Sequence, residues 1–475
     1  MKISKYKKLL LVVGVLLALL IVKIVLFLTV KPKVTVDYVA EYNRISLPQN
    51  YDPNENAAPY YQKAFDAFIR MSEELRGQIY VNWPTDFNNT EQARLAEWLL
   101  SNSQAFEYFR EAVNKPDYWL ERKSERDNTI AGIMLPESSP FYELTKALVW
   151  NAKFYAAKGQ IQTAFEYILD CYRAGKHKCR PNLLLIEQLV GLHIKQDATH
   201  NALLILDKSR LDSGDLKSFQ DTLQAEFDSD AFILGFNAEK LSLYDALQRL
   251  YIDNGKGTGK LAWSAGWYIT LLAELDKSEL QREYESLKRR LYYCLLGPTR
   301  NEVANQIEEL IGISGQIMTK TPWQNKNAGY DYFYKIEKIE NSSFFFEILG
   351  YEPKRILNSY SKTVSQSDAL IAVLAILRYK NDTAQFPESL EKLVSVGYLK
   401  AIPQDPYSNG PLIYKPTETN FKLYSVGPDF KDDGGLTESN NVPISKYPGM
   451  PGMGLHAQPP NPDIVYWPVV DKQRK

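Results

Sequence analysis

Cysteine and histidine are scarce in this chain of 475 residues, with three and four copies respectively. Three cysteines, Cys171, Cys179 and Cys294, cannot form a disulfide framework. Cys171 and Cys179 could pair only if the chain turned between them, for instance at Gly175. On one continuous helix they lie about 12 Å apart, beyond disulfide reach, so isolated buried thiols are the expectation. A bias of charge is missing too. The formal net charge of −1 supplies no basic stripe to neutralise phosphates, which argues against nucleic acid as a partner. The sequence also has no Gly-x-Ser-x-Gly, no His-Glu-x-x-His and no phosphate loop, the spacings that carry hydrolase, zinc-protease and nucleotide chemistry. Gly312-Ile313-Ser314-Gly315 has the wrong spacing for a nucleophile elbow. No catalytic residue is assigned.

Apolar residues are plentiful, at 45% against 24% charged, enough to bury a sizeable core. The first of them form a continuous run from Leu9 to Val30. As a helix its roughly 22 residues would span about 33 Å, the thickness of a bilayer core. Lys23 lies within it, at a depth from which a lysine can snorkel to the outer interface. Lys2, Lys5, Lys7 and Lys8 precede the run and predict a cytoplasmic N-terminus, with the bulk of the chain periplasmic or extracellular. A cleaved signal peptide would need small residues after its apolar core, and Ile24 to Val30 offers none. The reading is a single-pass anchor in the cell membrane, with the bilayer as its partner.

Residues 31–52, with Pro32 and Pro48, read as a linker. A helical domain is expected over 53–358. Its first helix carries Ala58, Tyr61, Ala64, Phe65, Phe68 and Ile69 on one side, and a second, opening at Thr90, carries Leu95 through Val113. Residues 118–140 read as loop. From Phe141 to Leu206 the helical signal is strongest. A hairpin turning at Gly159, over about 148–181, resembles a single tetratricopeptide unit, without the neighbouring copies an array needs. More helices are expected over 216–227, 231–251, 261–275 and 278–296, with a break at Gly297-Pro298. The character changes near 355–362, the expected boundary of a C-terminal domain over 360–475. There an amphipathic helix (365–379) leads to strands at Ile413-Tyr414 and Phe421–Val426, and the stretch after Gly427 reads as largely irregular. The fold class is therefore mainly α, with a small α+β domain at the end.

That last part holds a specific order of features. A helix ending in Arg378-Tyr379-Lys380 is followed by Phe386-Pro387. After it come Gly397-Tyr398-Leu399-Lys400, Pro403-Gln404-Asp405-Pro406, Leu412-Ile413-Tyr414 and Tyr424-Ser425-Val426-Gly427. The series resembles the soluble domain of the major pseudopilin of bacterial type II secretion systems, over about residues 365–435 with a trace near 463. Members of that family continue an N-terminal processed helix directly into this domain. Here about 300 residues intervene and the anchor lacks the processing motif, so the resemblance implies such a domain carried on a different anchor. It also implies calcium in the final loop, with Asp429, Asp432, Asp433 and Asp463 as ligands, since Ca2+ takes six to eight oxygens from carboxylates and main-chain carbonyls.

Two further readings remain open. His193, Asp197 and His200 share one helix face by their i, i+4, i+7 spacing, and with Glu187 they could build a metal-dependent enzyme site. A subunit of a secretion pseudopilus is the other. The first expectation is a non-enzymatic envelope protein that acts as scaffold or interaction surface for protein partners.

Overall fold

A computed structural model describes residues 2–75, 83–228, 234–265, 288, 291–328, 332–340, 342, 345–346, 353–436 and 463–469. It is mainly helical, with one small sheet. The apolar N-terminal run forms α1 (Lys2–Thr29), whose window Leu10–Thr29 is long and apolar enough to cross a membrane. Most of the described apolar side chains along it are exposed, Leu10, Leu16 and Ile21 among them.

The expected linker is not one. Residues 38–46 form α2 (Tyr38–Ser46), capped by the Asp37 carboxylate, which accepts the Ala40 N–H at 2.9 Å. Its spacing puts Val39, Tyr42 and Ser46 on one buried face. Nine residues between two prolines make a faint periodic signal, which is why the sequence reads as connection.

In the helical region α3 is Ala58–Ala67, α4 Asn89–Ser101 and α5 Ser103–Val113. The expectation of one helix from Thr90 to Val113 fails at Asn102. That side chain is fully buried and bonds both the N–H and the carbonyl of Ile69, at 2.8 and 3.1 Å. A side chain committed to a distant backbone in this way sets a break between two helices. The expected hairpin is present as α6 (Ser138–Ala157) and α7 (Ile161–Lys178), turned by Gly159 at φ +77°. Against α7 lies α8 (Leu185–Lys208), at a glycine-to-glycine crossing. A Cβ on Gly175 would sit 2.8 Å from the Gly191 carbonyl oxygen, and one on Gly191 would sit 2.6 Å from that of Gly175. Cys171, Cys179 and Cys294 are buried free thiols.

Then follow α9 (Ser213–Asp228), α10 (Asn237–Leu250), α11 (Arg300–Met318), α12 (Pro322–Asn327) and α13 (Tyr332–Glu340). Residues 231–233 at the start of one expected helix lie outside the described residues. So do most of the helices expected over 261–275 and 278–296, where a short turn at Trp263–Ala265 and helical residues 291–295 are described.

The expected boundary at 355–362 falls inside α14 (Pro353–Thr383), which begins about three turns before the helix expected from residue 365. Beyond it stand α15 (Leu390–Ser395), β1 (Ile413–Pro416), β2 (Phe421–Ser425) and β3 (Ile464–Trp467). The strands form one antiparallel sheet in the order β1-β2-β3, with Ile413 opposite Tyr424 and Ser425 opposite Ile464. The end of the chain, expected to be irregular, thus supplies a strand. Ile464-Val465-Tyr466-Trp467 is a run of strong strand formers that Tyr466 and Trp467 bury against the core.

One hydrophobic cluster runs from Tyr61 and Phe109 through Phe141, Ile168 and Leu206 to Leu374, Leu423 and Trp467. The helical region and the sheet therefore share a core. A second cluster joins α10, α11 and the start of α14 and reaches Phe27 of α1, and a third surrounds α2.

Candidate functional site

The densest polar chemistry lies where the segment after α1 meets the body. Four groups of side chains hold residues 35–46 in place. Gln248 of α10 accepts from the N–H groups of Thr35 and Val36, both at 3.1 Å, and donates to the Val36 carbonyl at 2.9 Å. Asn43 exchanges two hydrogen bonds with the backbone of Arg122, at 2.7 and 2.8 Å. Arg180 and Asn182 donate to the carbonyls of Ser46 and Ile45, the last residues of α2, each at 2.9 Å. The fourth group begins at the Tyr42 hydroxyl, which donates to Glu187 at 2.5 Å.

Glu187 belongs to a buried cluster of two acids and two bases. Arg122 pairs with Glu187 and, at 2.6 Å, with Glu137. Lys178 donates to Glu137 at 2.9 Å and to the Tyr118 hydroxyl at 3.1 Å. All four charged side chains are at most 7% exposed. Burial works to raise the Glu137 carboxyl, but the Arg122 and Lys178 charges outweigh it and hold the group at about 2. Burial pushes the Lys178 ammonium down and the Tyr118 phenol up. Formal charge cancels within the cluster. Such a closed network fixes geometry more than it adds stability, because desolvation offsets much of the Coulombic gain.

Beside it, His177 is buried between the Tyr61 hydroxyl and the Lys115 carbonyl, both at 2.8 Å. The carbonyl can only accept, so Nε2 carries the proton and Nδ1 accepts from Tyr61. Burial, with help from Arg180, Lys176 and Lys178, lowers this imidazole to about 4.

The sequence-predicted sites fare unevenly. His193 and Asp197 share a face of α8, 3.6 Å apart, but both are well exposed. Glu187 points instead into the buried cluster, as six residues on a helix turn the side chain away from His193. The four do not form one site. Among the described residues no group of three His, Cys, Asp or Glu side chains is placed to hold a metal. A small cleft between α7 and α9, about 50 Å³, is lined by Phe165, Glu166 and Phe219 and offers no histidine or cysteine.

In the final loop, Asp463 accepts from the N–H groups of Asp433 and Gly435, at 3.3 and 2.6 Å. Asp432 accepts from the Tyr424 hydroxyl and the Gly434 N–H, at 2.9 and 2.8 Å, and Asp429 from the Lys431 N–H at 3.1 Å. The Lys422 ammonium lies on the carbonyls of Gly434 and Gly435, at 3.2 and 3.4 Å. One oxygen each of Asp429 and Asp432 and both oxygens of Asp463 thus accept hydrogen bonds within the chain, and the Lys422 ammonium stands on the carbonyls of Gly434 and Gly435.

The motif residues of the C-terminal resemblance hold one another. The buried Asp405 carboxylate accepts from the Ser425 hydroxyl at 2.6 Å and the Val426 N–H at 2.9 Å, and from Tyr407 N–H at 3.0 Å. Gly397, at φ +79°, ends α15 and lets the Tyr398 N–H reach back to the Leu393 carbonyl at 2.8 Å. Tyr398 then donates to Asp382 of α14 at 2.6 Å and Lys400 pairs with Asp228 of α9 at 2.8 Å.

Sequence reasoning missed Tyr42, Arg122, Glu137, Lys178 and Gln248. One signal was present: Glu187 follows Leu183-Leu184-Leu185-Ile186 and precedes Leu189-Val190. An acid within such a run is buried with a partner or misplaced.

No protein-family model, curated protein or solved structure matches the chain.

Proposed function

We propose that the chain is a non-enzymatic envelope protein that crosses the membrane once through α1, with its lysine-rich N-terminus cytoplasmic, and holds its helical body at a fixed place on the outer side. The carrying observation is the clamp on residues 35–46. A tether would leave this segment free, whereas here Gln248, Asn43, Glu187, Arg180 and Asn182 tie it to four parts of the body. A body so fixed presents the same face to its surroundings at all times, which suits a scaffold for protein partners. Support for the membrane comes from α1 itself. Each of its exposed leucines, isoleucines and valines would forgo about 1.5–3 kcal/mol of burial if left in water.

The C-terminal part has the character of a pseudopilin-like domain built onto that body. The order of α14, α15 and the sheet supports this reading, as does the way Asp405 joins the Pro-Gln-Asp-Pro loop to the Tyr-Ser-Val-Gly strand. It ties the scaffold to secretion across the envelope.

The test has two separate parts: native sizing of the full chain extracted from native membranes in mild detergent, and protease applied to cells whose outer membrane, where one is present, has been permeabilised while the inner one stays sealed. The expected result is a body digested from outside, a protected N-terminus and a discrete complex larger than the chain. A chain always recovered alone would refute the scaffold, and a body protected from outside protease would refute the orientation.

A further inference from the structure

The outer end of α1 does not stand clear of the body. The Phe27 ring lies 5.8 Å from that of Trp263, and the Ser264 hydroxyl donates to the Val30 carbonyl at 2.6 Å. Lys260, in the same corner, donates to the carbonyl of Gly297, just after the helical residues 291–295. That turn packs Cys294 into the second core cluster, with Tyr293 against it. Its other side is apolar and uncovered: Leu291, Tyr292, Leu295 and Leu296 are 40%, 55%, 58% and 72% exposed.

We propose that this apolar face, together with Trp263, rests in the headgroup layer of the bilayer that α1 crosses, so that the body lies on the membrane surface. The proposal depends on α1 being a transmembrane helix. Depth follows from helix geometry. Phe27 sits about 4–5 Å below Val30 at 1.5 Å per residue, so the Trp263 ring beside it falls at the interface, where tryptophan and tyrosine concentrate. The face continues from there by way of Lys260 and Gly297. Its sequence is that of an interfacial segment: Lys288-Arg289-Arg290 precede Leu291, and basic residues flanking an apolar face favour the headgroup boundary. Lys31 and Lys33, exposed just beyond α1, add charge at the same level. A patch so close to the exit of the anchor meets lipid before it meets another protein.

The experiment uses the full chain in vesicles of phosphatidylcholine and phosphatidylglycerol. A nitroxide is attached in turn to Leu17→Cys in α1, Leu296→Cys on the face and Lys217→Cys on α9, with the unsubstituted chain as background for its buried thiols. Collision with oxygen, which partitions into lipid, is compared with collision with a water-soluble nickel chelate. Leu17 and Leu296 labels are expected to favour oxygen several-fold more than the Lys217 label. If only the Leu17 label does so, the surface contact is overturned and the anchor stands. If neither does, the anchor reading fails and the contact with it. A Leu296 label shielded from both reagents means that protein covers the face, which also overturns the proposal.

Discussion

Lowering the pH from 7 to 5 protonates an ordinary histidine, whose value is 6.5, but not His177, which burial holds at about 4. In the unfolded chain this imidazole takes up a proton below 6.5, while in the folded chain it stays neutral to about 4. The neutral form therefore contributes its full stability above 6.5, and the contribution is lost as pH falls from 6.5 towards 4. Between those limits each pH unit costs about 1.4 kcal/mol, which amounts to about 2 kcal/mol at pH 5. Geometry supplies the cause. Protonation would make Nδ1 a donor towards a Tyr61 hydroxyl that now donates to it, in a site where Tyr61 is fully buried. The assay is urea unfolding of the full chain in detergent, followed by fluorescence at pH 7 and pH 5, beside His177→Gln. The amide of glutamine keeps a donor for the Lys115 carbonyl and does not titrate. The pH-dependent loss should be about 2 kcal/mol smaller in the variant. Equal losses in both proteins would refute the burial of a neutral imidazole at this position.

Four further outcomes are expected. Glu187→Ala leaves Arg122 short of a carboxylate and Tyr42 without its acceptor, and should destabilise by about 3–5 kcal/mol in the same unfolding assay. The double change Arg122→Met with Glu187→Leu should cost much less, and an equal cost would show that charge balance is not what the cluster satisfies. Gly191→Ala brings a methyl within 2.6 Å of the Gly175 carbonyl oxygen and should cost about 1–3 kcal/mol; an unchanged midpoint would refute the close crossing of α7 and α8. Asp405→Ala strips the acceptor from Ser425 and Val426, and should cost about 3 kcal/mol and speed amide exchange at 421–426, whereas unchanged exchange would separate the loop from the strand. Calcium should leave the unfolding midpoint where a chelator leaves it, because Lys422 holds the carbonyls of Gly434 and Gly435. A rise that Asp463→Ala abolishes would restore the cation reading.

Local pattern was enough for much of the architecture. The apolar run that becomes α1, the hairpin turned by Gly159 and the break after residue 296 all follow from hydrophobic period and turn residues, which neighbouring side chains alone express. So do the first two strands. Features made by residues far apart were not legible. The Asn102 break depends on Ile69, the docking of α2 on Glu187 and Gln248, and β3 on a pairing with β2 across the segment between Ser425 and Ile464. The continuity of α14 was not legible either, since composition shifts near 360 while its backbone continues through that point.

The charged cluster marks the same division most sharply. The apolar run around Glu187 carried a signal that the sequence reading did not use, since an acid buried among apolar side chains is costly without a partner. Its partners come from packing: Arg122 from a loop, Lys178 from the neighbouring helix, and Tyr42 from the segment behind the anchor. Side chains 145 and 65 residues apart are brought within hydrogen-bond distance by the packing of whole helices, and sequence spacing carries no record of that distance.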